Sequence, residues 1–345
     1  MVEPKLDGCS VAIVYVNGSR HGLATRGDGT NGEDITHNVD LIDGVPDFIE
    51  GAPQVLEVRG EVVMTKEQFE EASRNRENST GDAFKNPRNA TAGVLNTDVD
   101  KRKYDARMTF FAFDTHGFED MEPEAEQYAL NQMGFTTAEE LAVDTGRGAR
   151  VLFTSIQAAV QAVTEIASNR DAFPCGIDGA VVKVADAARR KHLGFSSRAP
   201  KWATAFKFPA ERVTTTIEDI EVSVGKSGRM GLRARVTPVD VDGSTVSYAT
   251  LHNPKFILGK GIAIGDTVTL YKAGDIIPAI DELVTGSASV PWTPPETCPR
   301  CDTEWDVSEN GLIWKCETPG CSLVGWLTYA ASRDVLDIDL SLIHI

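Results

Sequence analysis

The chain has 345 residues, 41% of them hydrophobic and 25% charged, with a formal net charge of −17. That length and balance describe a globular protein of two or three domains and exclude a disordered or fibrous chain. No apolar run approaches the roughly 20 residues needed to span a bilayer, and the start "MVEPKLDG" lacks the basic end and apolar stretch of a signal peptide, so the cytoplasm is the expected compartment.

In chain order, "EPKLDG" reads as the end of an opening strand that carries Lys5, then Asp7 and a glycine. Alternating apolar residues predict further strands in "SVAIVYV", "LEVRGEVVM", "MTFFAFD" and "DGAVVKV". Helical spacing and good helix formers mark "KEQFEEASRNR", "EAEQYALNQMG" and "SIQAAVQAVTEIASNR". The two types do not alternate regularly, which favours an α+β domain with antiparallel sheets over a doubly wound fold. From residue 214 to 286 the texture changes to short β-rich runs broken by Gly and Asp-Gly, with one helix at "NPKFILGKG". A small five-stranded OB-type barrel suits that spacing. A Ser/Pro-rich linker, "TGSASVPWTPPET", leads to a cysteine cluster.

The cysteines carry the strongest local signal. Two residues separate Cys298 from Cys301 and four separate Cys316 from Cys321, so two knuckles offer four soft thiolates, the set that tetrahedral zinc prefers. The stretch between them is too short to bury a core, and structural zinc would stabilise it directly. Two disulfides or buried thiols are the alternative. Four protein ligands leave no open position, so such a metal is structural. Cys9 and Cys175 read as core residues.

The acidity of the whole chain argues against a nucleic-acid partner, but its distribution weakens that argument. Residues 201–275 hold 10 Lys/Arg against 8 Asp/Glu, and "VGKSGRMGLRAR" brings Lys226, Arg229, Arg233 and Arg235 together with no acid between them. A local basic strip can bind phosphates on an acidic protein, because screening limits each charge to roughly 8 Å at physiological salt. Two later lysines, Lys183 in "GIDGAVVKV" and Lys207 in "WATAFKFPA", lie in apolar strand contexts. A nucleophilic lysine needs nearby positive charge to lose its proton near neutral pH, and these two are candidates to supply it to Lys5. Arg26 lies in the Gly-rich "TRGDGTNGEDITHN" and Glu61 in "EVRGEV". Each is an ordinary turn or solvated charge, or a ligand contact.

Together these stretches resemble the bacterial NAD-dependent DNA ligases. The ordered set "EPKLDG", "TRGDGTNGEDITHN", "EVRGEV", "FKNPRNATAG", "GIDGAVVKV", "KWATAFKFP", "ATLHN", "KAGDIIP" and the four cysteines carries the resemblance through nearly the whole chain. It implies a nucleotidyltransferase (adenylation) domain over 1–212, an OB-fold over 213–290 and a four-cysteine zinc finger over 291–323. A truncated start of a following helical region would occupy 324–345. By the same resemblance Lys5 attacks the α-phosphate of NAD+, releasing nicotinamide mononucleotide and leaving lysyl-AMP. The AMP then passes to the 5′-phosphate of nicked double-stranded DNA, and the 3′-hydroxyl seals the strand. Glu3 would read the adenine amino group, Arg26 and Glu61 the ribose, and Lys183 and Lys207 the α-phosphate. Arg88 and Arg170 would be further nucleotide-site arginines, and Asp7 would orient the lysine loop. Mg2+ or Mn2+ would assist the transfer, Zn2+ would hold the finger, and the barrel strip with Lys272 would track DNA. A monomer is expected.

Three departures from the family accompany the match. Asn96 stands where an arginine is expected, so the role of that arginine is either missing or transferred to Arg102. Lys226 and Lys272 stand where arginine is common, keeping charge without the bidentate fork. The family's amino-terminal helical subdomain has no counterpart before "EPKLDG" and its later domains none after the cysteines, so a fragment with a foreign or misread end, "SLIHI", is expected. The rival readings are an ATP- or GTP-using lysyl-nucleotidyltransferase (an ATP-dependent ligase or a capping enzyme) and a non-catalytic DNA-binding module.

Overall fold

The computed structural model describes all residues except 28–30, 119–120, 138–140, 142–152, 154, 197–198, 242, 274–276, 288–289, 333–334, 337 and 339–345. The centre of the Gly-rich loop, part of "KAGDIIP" and the unusual end "SLIHI" therefore lie outside the described residues. The chain forms two units, Met1–Phe208 and Pro209–Ile345.

The first unit holds two sheets. β1 (Val2–Leu6), β7 (Ile177–Lys183) and β8 (Ala203–Lys207) form a three-stranded antiparallel sheet with β7 in the middle. A five-stranded sheet has the order β3 (Ser19–Thr25), β2 (Cys9–Val16), β5 (Val55–Val63), β6 (Met108–His116), β4 (Ile42–Asp43). The alternation in the sequence appears directly as burial: in β2 every second residue from Val11 to Tyr15 points into a core shared with Val58, Phe110 and Phe135. The buried Tyr15 keeps its hydroxyl satisfied by donating to Pro46 O at 2.8 Å.

Helices α1 (Lys66–Thr80), α2 (Pro87–Leu95), α3 (Pro123–Gln132), α4 (Ile156–Ser168) and α5 (Ala187–Leu193) complete the unit. α1 starts with a capping box, Thr65 Oγ1 accepting from Gln68 N and Gln68 Oε1 from Thr65 N. α2 starts on Asn86, whose side chain accepts from Asn89 N, with Pro87 as first helical residue. That short helix buries Ala90, Thr91, Val94 and Leu95 on one face, and its caps set where it starts.

The second unit is a closed barrel of β9 (Val213–Val224), β10 (Met230–Val241), β11 (Ser244–Thr250), β12 (Thr267–Ala273) and β13 (Ile277–Thr285), with α6 (Pro254–Lys260) between β11 and β12. Only β11 and β13 run parallel, paired at Thr250 and Ala279. β13 is the strand that closes the barrel and the hardest to read, because Pro278, Asp281 and Glu282 interrupt its apolar pattern. Beyond it come the hairpin β14 (Asp306–Val307) and β15 (Trp314–Lys315) and then α7 (Pro319–Ala331). α7 starts with Pro at its first position and carries Cys321 in its first turn, so the helix grows out of the cysteine cluster itself.

Two glycines are dictated by close approach. A Cβ on Gly8 would stand 2.2 Å from Val62 O and 2.6 Å from Val63 Cγ1, so only glycine lets the turn after Lys5 cross over β5. A Cβ on Gly179 would stand 2.4 Å from Phe206 O, in the middle strand between β1 and β8. Gly8→Ala is expected to lower unfolding free energy by about 1–3 kcal/mol, the usual cost of overpacking. Urea unfolding of the purified variant reads this, and an unchanged midpoint would show that the turn has room.

Candidate active site

The register of the three-stranded sheet places Lys5 opposite Gly179 and Gly179 opposite Lys207. Two lysines are thereby set in one row across the sheet, with a side-chain-free residue between them. On β1 the partner of Lys5 is Gly179 and that of Leu6 is Ile177, so Asp178 is an extra, bulged residue. A bulge re-aims a side chain. Here it brings Asp178 to the lysine face, where both carboxylate oxygens accept from Lys5 Nζ at 2.7 Å. Lys207 Nζ stands 3.6 Å from the same carboxylate.

Farther along the same sheet, Lys183 Nζ lies 2.7 Å from Glu3 Oε2, with side chains only 10% and 6% exposed. Lys183 also donates to Phe113 O at 3.1 Å. Of the two lysines expected to lend positive charge to Lys5, Lys207 meets it at the shared Asp178 carboxylate, which is itself the nearest charged group to Lys5, whereas Lys183 is engaged by Glu3. Sequence reasoning gives Asp178 no role and misses its place beside Lys5 and Lys207. The signal is present in "GIDG", but the bulge that turns the acid around is not written in the alternation.

The five-stranded sheet supplies the facing groups. Ser10 and Glu61 are directly opposite on β2 and β5, and Ser10 Oγ donates to Glu61 Oε2 at 2.7 Å. Burial raises the Glu61 carboxyl above its ordinary range, against the opposing pull of Ser10, Lys5 and Arg88. Arg26 is exposed, and its backbone N–H donates to Ser10 O at 3.0 Å, which ties its loop beside Glu61. Arg88, at the second position of α2, reaches Asp7 Oδ1 at 2.5 Å. Burial works against the Arg88 charge, but Asp7, Glu61 and Asp178 outweigh it and raise its pKa further. The Cys9 thiol, pushed up to about 11 by burial and by Glu61, stays protonated and is no rival nucleophile to a lysine. Cys175 is fully buried, as expected of a core residue.

Arg170 and Arg102 each have charged neighbours of their own. Arg170 sits exposed on a 3-10 turn, Arg170–Ala172, with Asp171 at 3.8 Å. Arg102 is not free to replace the arginine missing at Asn96. Its guanidinium donates to Asn38 Oδ1, to both Asp40 oxygens and to His37 O.

In the second unit Arg233 pairs with Glu221 at 2.6 Å and Arg235 with Glu218 at 2.6 Å. The acids absent between these arginines in sequence come from β9, the neighbouring strand of the barrel. Lys226 lies over the Tyr329 ring, and the backbone of Arg229 forms an isolated antiparallel β-bridge with that of Lys315. Lys272 is buried, 8% exposed, so its placement on a DNA-facing surface is corrected.

The four cysteine sulfurs lie within 4.8 Å of one another, with 3.9 Å between Cys298 and Cys321 and 3.6 Å between Cys301 and Cys316. All four are free thiols. Zinc with Zn–S bonds of about 2.3 Å sets its tetrahedral sulfurs about 3.8 Å apart, so the donor set and spacing fit zinc. Cys298, Cys316 and Cys321 are buried in the same core as the barrel residues Ile217 and Leu251.

Residues 1–211 match the family model described as the NAD-dependent DNA ligase adenylation domain, and residues 214–290 match its OB-fold domain. DNA ligase 2 of Pseudarthrobacter chlorophenolicus is 40% identical over 98% of this chain and 47% of its own length. DNA ligase 2 of Streptomyces coelicolor is 41% identical over 98% of this chain and 49% of its own length. DNA ligase of Akkermansia muciniphila is 39% identical over 98% of this chain and 43% of its own length. The chain thus spans about half the length of the curated relatives it matches. No helix among the described residues is long and apolar enough to cross a membrane.

Cys316→Ser is expected to abolish stoichiometric zinc and also to lower the melting temperature of the barrel, because the cysteines and barrel share one core. Metal analysis and thermal unfolding followed by the barrel tyrosines Tyr248 and Tyr271 check both halves. A zinc-free variant with unaltered barrel melting would show the two to be energetically separate.

Proposed function

The chain belongs to the NAD-dependent DNA ligase family, and from that premise we propose that it carries the adenylation chemistry of a ligase that takes AMP from NAD+ and seals nicks in double-stranded DNA. The observation that carries this reading is the convergence of Lys5 and Lys207 on Asp178, beside the Lys183–Glu3 pair, on one small sheet.

In the proposed reaction Lys5 Nζ attacks the α-phosphorus of NAD+. A P–N bond forms, and the P–O bond to nicotinamide mononucleotide breaks. Asp178, holding Lys5 through both oxygens, is the group placed to receive its proton. Lys207 and Lys183 would take the α-phosphate oxygens, where charge has to be balanced in an in-line transfer. Glu3 would accept from the adenine amino group. The buried Glu61 would accept from a ribose hydroxyl, Arg26 would close over the sugar, and Arg88, fixed by Asp7, would face the phosphate. Arg170 stays in the proposed set as an exposed arginine that reaches the nucleotide only from the rim. Mg2+ or Mn2+ would add charge neutralisation at the phosphates, and Zn2+ on the four cysteines would hold the second unit. We assign DNA contact to Lys226, Arg229, Arg233 and Arg235, and place the protein in the cytoplasm as a monomer.

Two outcomes are expected. In a longer protein that carries this chain behind the family's amino-terminal helical subdomain, NAD+ should add the mass of one AMP to Lys5, and Lys5→Arg should lose the adduct while keeping its fold, since arginine does not deprotonate to a nucleophile. An adduct from ATP or GTP in place of NAD+, or one mapped to Lys183 or Lys207, would overturn the assignment. For DNA, replacing Lys226, Arg229, Arg233 and Arg235 by glutamine should flatten the dependence of log affinity on log salt by up to about 0.9 per phosphate contact removed. An unchanged slope would move the DNA surface elsewhere.

A further inference from the structure

The amide of Asn38 is engaged at both its nitrogen and its oxygen, and it lies outside the proposed nucleotide-facing set. It is fully buried. Its Nδ2 donates to Leu95 O at 2.7 Å and Thr97 O at 2.9 Å, with Val94 O at 3.4 Å. Its Oδ1 accepts from Arg102 Nε at 3.0 Å and from Arg102 Nη2. The amide can point only one way, because the helix carbonyls accept and the guanidinium only donates. Arg102 is held in turn by Asp40 and His37 O, so the network is closed at both ends.

The carbonyls that Asn38 captures belong to the carboxyl end of α2. At the other end of that helix stands Arg88, bonded to Asp7 two residues after Lys5. The apolar residues on α2, Ala90, Val94 and Leu95, are buried in the common core. Apolar packing is non-directional and constrains a helix poorly along its axis. Hydrogen bonds to terminal carbonyls do constrain it, and a nine-residue helix is a rigid rod of about 14 Å. Asn38 itself stands on a fixed post. The 3-10 helix Thr36–Leu41 that carries it is tied to β3 by Ile35 N to Leu23 O at 3.0 Å and Leu23 N to Thr36 Oγ1 at 2.9 Å.

We infer that Asn38, locked by Arg102, is a positioning residue that sets the axial position of α2 and through it the placement of Arg88 against Asp7 and the lysine face. This rests on the function proposed above only for its catalytic consequence. It also gives Arg102 a role that its sequence position does not announce: it orients the amide that holds the helix.

The test has two arms. The first needs no catalysis. The Arg88 Nε–Hε resonance, assigned by its disappearance in Arg88→Lys, should move toward that of a free guanidinium in Asn38→Ala, while Arg102→Gln should move it in the same direction by less. An unmoved Arg88 signal in a folded variant overturns the inference, and Arg102→Gln decides the matter if Asn38→Ala does not fold. The second arm is the rate of Lys5 adenylation from NAD+ in the longer protein that also carries the amino-terminal helical subdomain. A misplacement of about 1 Å is worth on the order of 100-fold in such a step, so Asn38→Ala should slow it by about 10- to 100-fold. In an Arg88→Ala background the same substitution should change the rate by less than about two-fold, since residues acting through one group are not additive. Slowing that multiplies in the double variant would show Asn38 acting otherwise than through Arg88. If the unaltered protein takes no AMP, the proposed function fails, and the resonance arm still decides the position of α2.

Discussion

The pairing of β1 with β7 is the contact on which the first unit depends. It joins residues 2–6 to residues 177–183, so a sequence separation of 173 is closed by the Lys5–Asp178 contact alone. Register here is chemistry as well as packing. Side chains alternate across a strand, and a slip of one residue would turn Lys5 and Glu3 to the opposite face together. The bulge at Asp178 works against that alternation at a single point, which puts an acid on the lysine face without disturbing the pairs beyond it. Gly8 then lets the chain leave β1 across β5, the five-stranded sheet brings Glu61 and Ser10 to the same region, and α2 brings Arg88.

The second unit solves a different problem. A segment of about 40 residues after the barrel has too little apolar surface for a core of its own, as small domains generally do. The structure answers by merging it with the barrel: Cys316 N donates to Gly228 O at 2.9 Å, and a Cβ on Gly228 would stand 2.6 Å from Cys316 O. The turn between β9 and β10, which holds Lys226 and Arg229, is therefore shaped by the cysteine knuckle. A metal bound there would stabilise the barrel's basic turn as well as the finger, since binding energy to a site that exists only in the folded state is folding energy.

Much of this was legible in the residues. The strands with clean alternation, β2, β5, β6 and β7, and the helices α1, α3 and α4 stand where the periodicity places them. Lys5, Glu3, Lys183 and Lys207 share one sheet, and Lys5 acts on the buried Glu61 carboxyl from it. What was not legible has three physical causes. Cross-strand neighbours are remote in sequence, which is why a strip with no acid between its arginines proves to be paired with Glu218 and Glu221. Burial is a property of the closed barrel, which is why Lys272 reads as a surface charge and is not one. Bulges and helix-end contacts depend on register and capping geometry, which is why Asp178 and Asn38 emerge only when the strands and α2 are laid in place.

The ion pairs of the two units differ in how readily a phosphate can enter them. On the barrel, Arg233 is 59% exposed and its partner Glu221 34%, and an exposed pair of this kind is worth about 0–1 kcal/mol. Exchange of a carboxylate for a phosphate there costs little, so pre-pairing does not disqualify these arginines. It lowers the gain per contact and makes that gain depend on salt. The Lys183–Glu3 pair is the opposite case. Both side chains are nearly sealed from water, and removing one partner of a buried pair costs about 3–5 kcal/mol because the other charge is left uncompensated. A nucleotide that separated them would have to satisfy both, a negative group for Lys183 and a donor for Glu3. A phosphate joined to a purine with an exocyclic amine offers both on one molecule. In the proposed function the buried pair would act as a two-part requirement, one that inorganic phosphate meets only by half, and the sheet that holds it would select for the whole nucleotide.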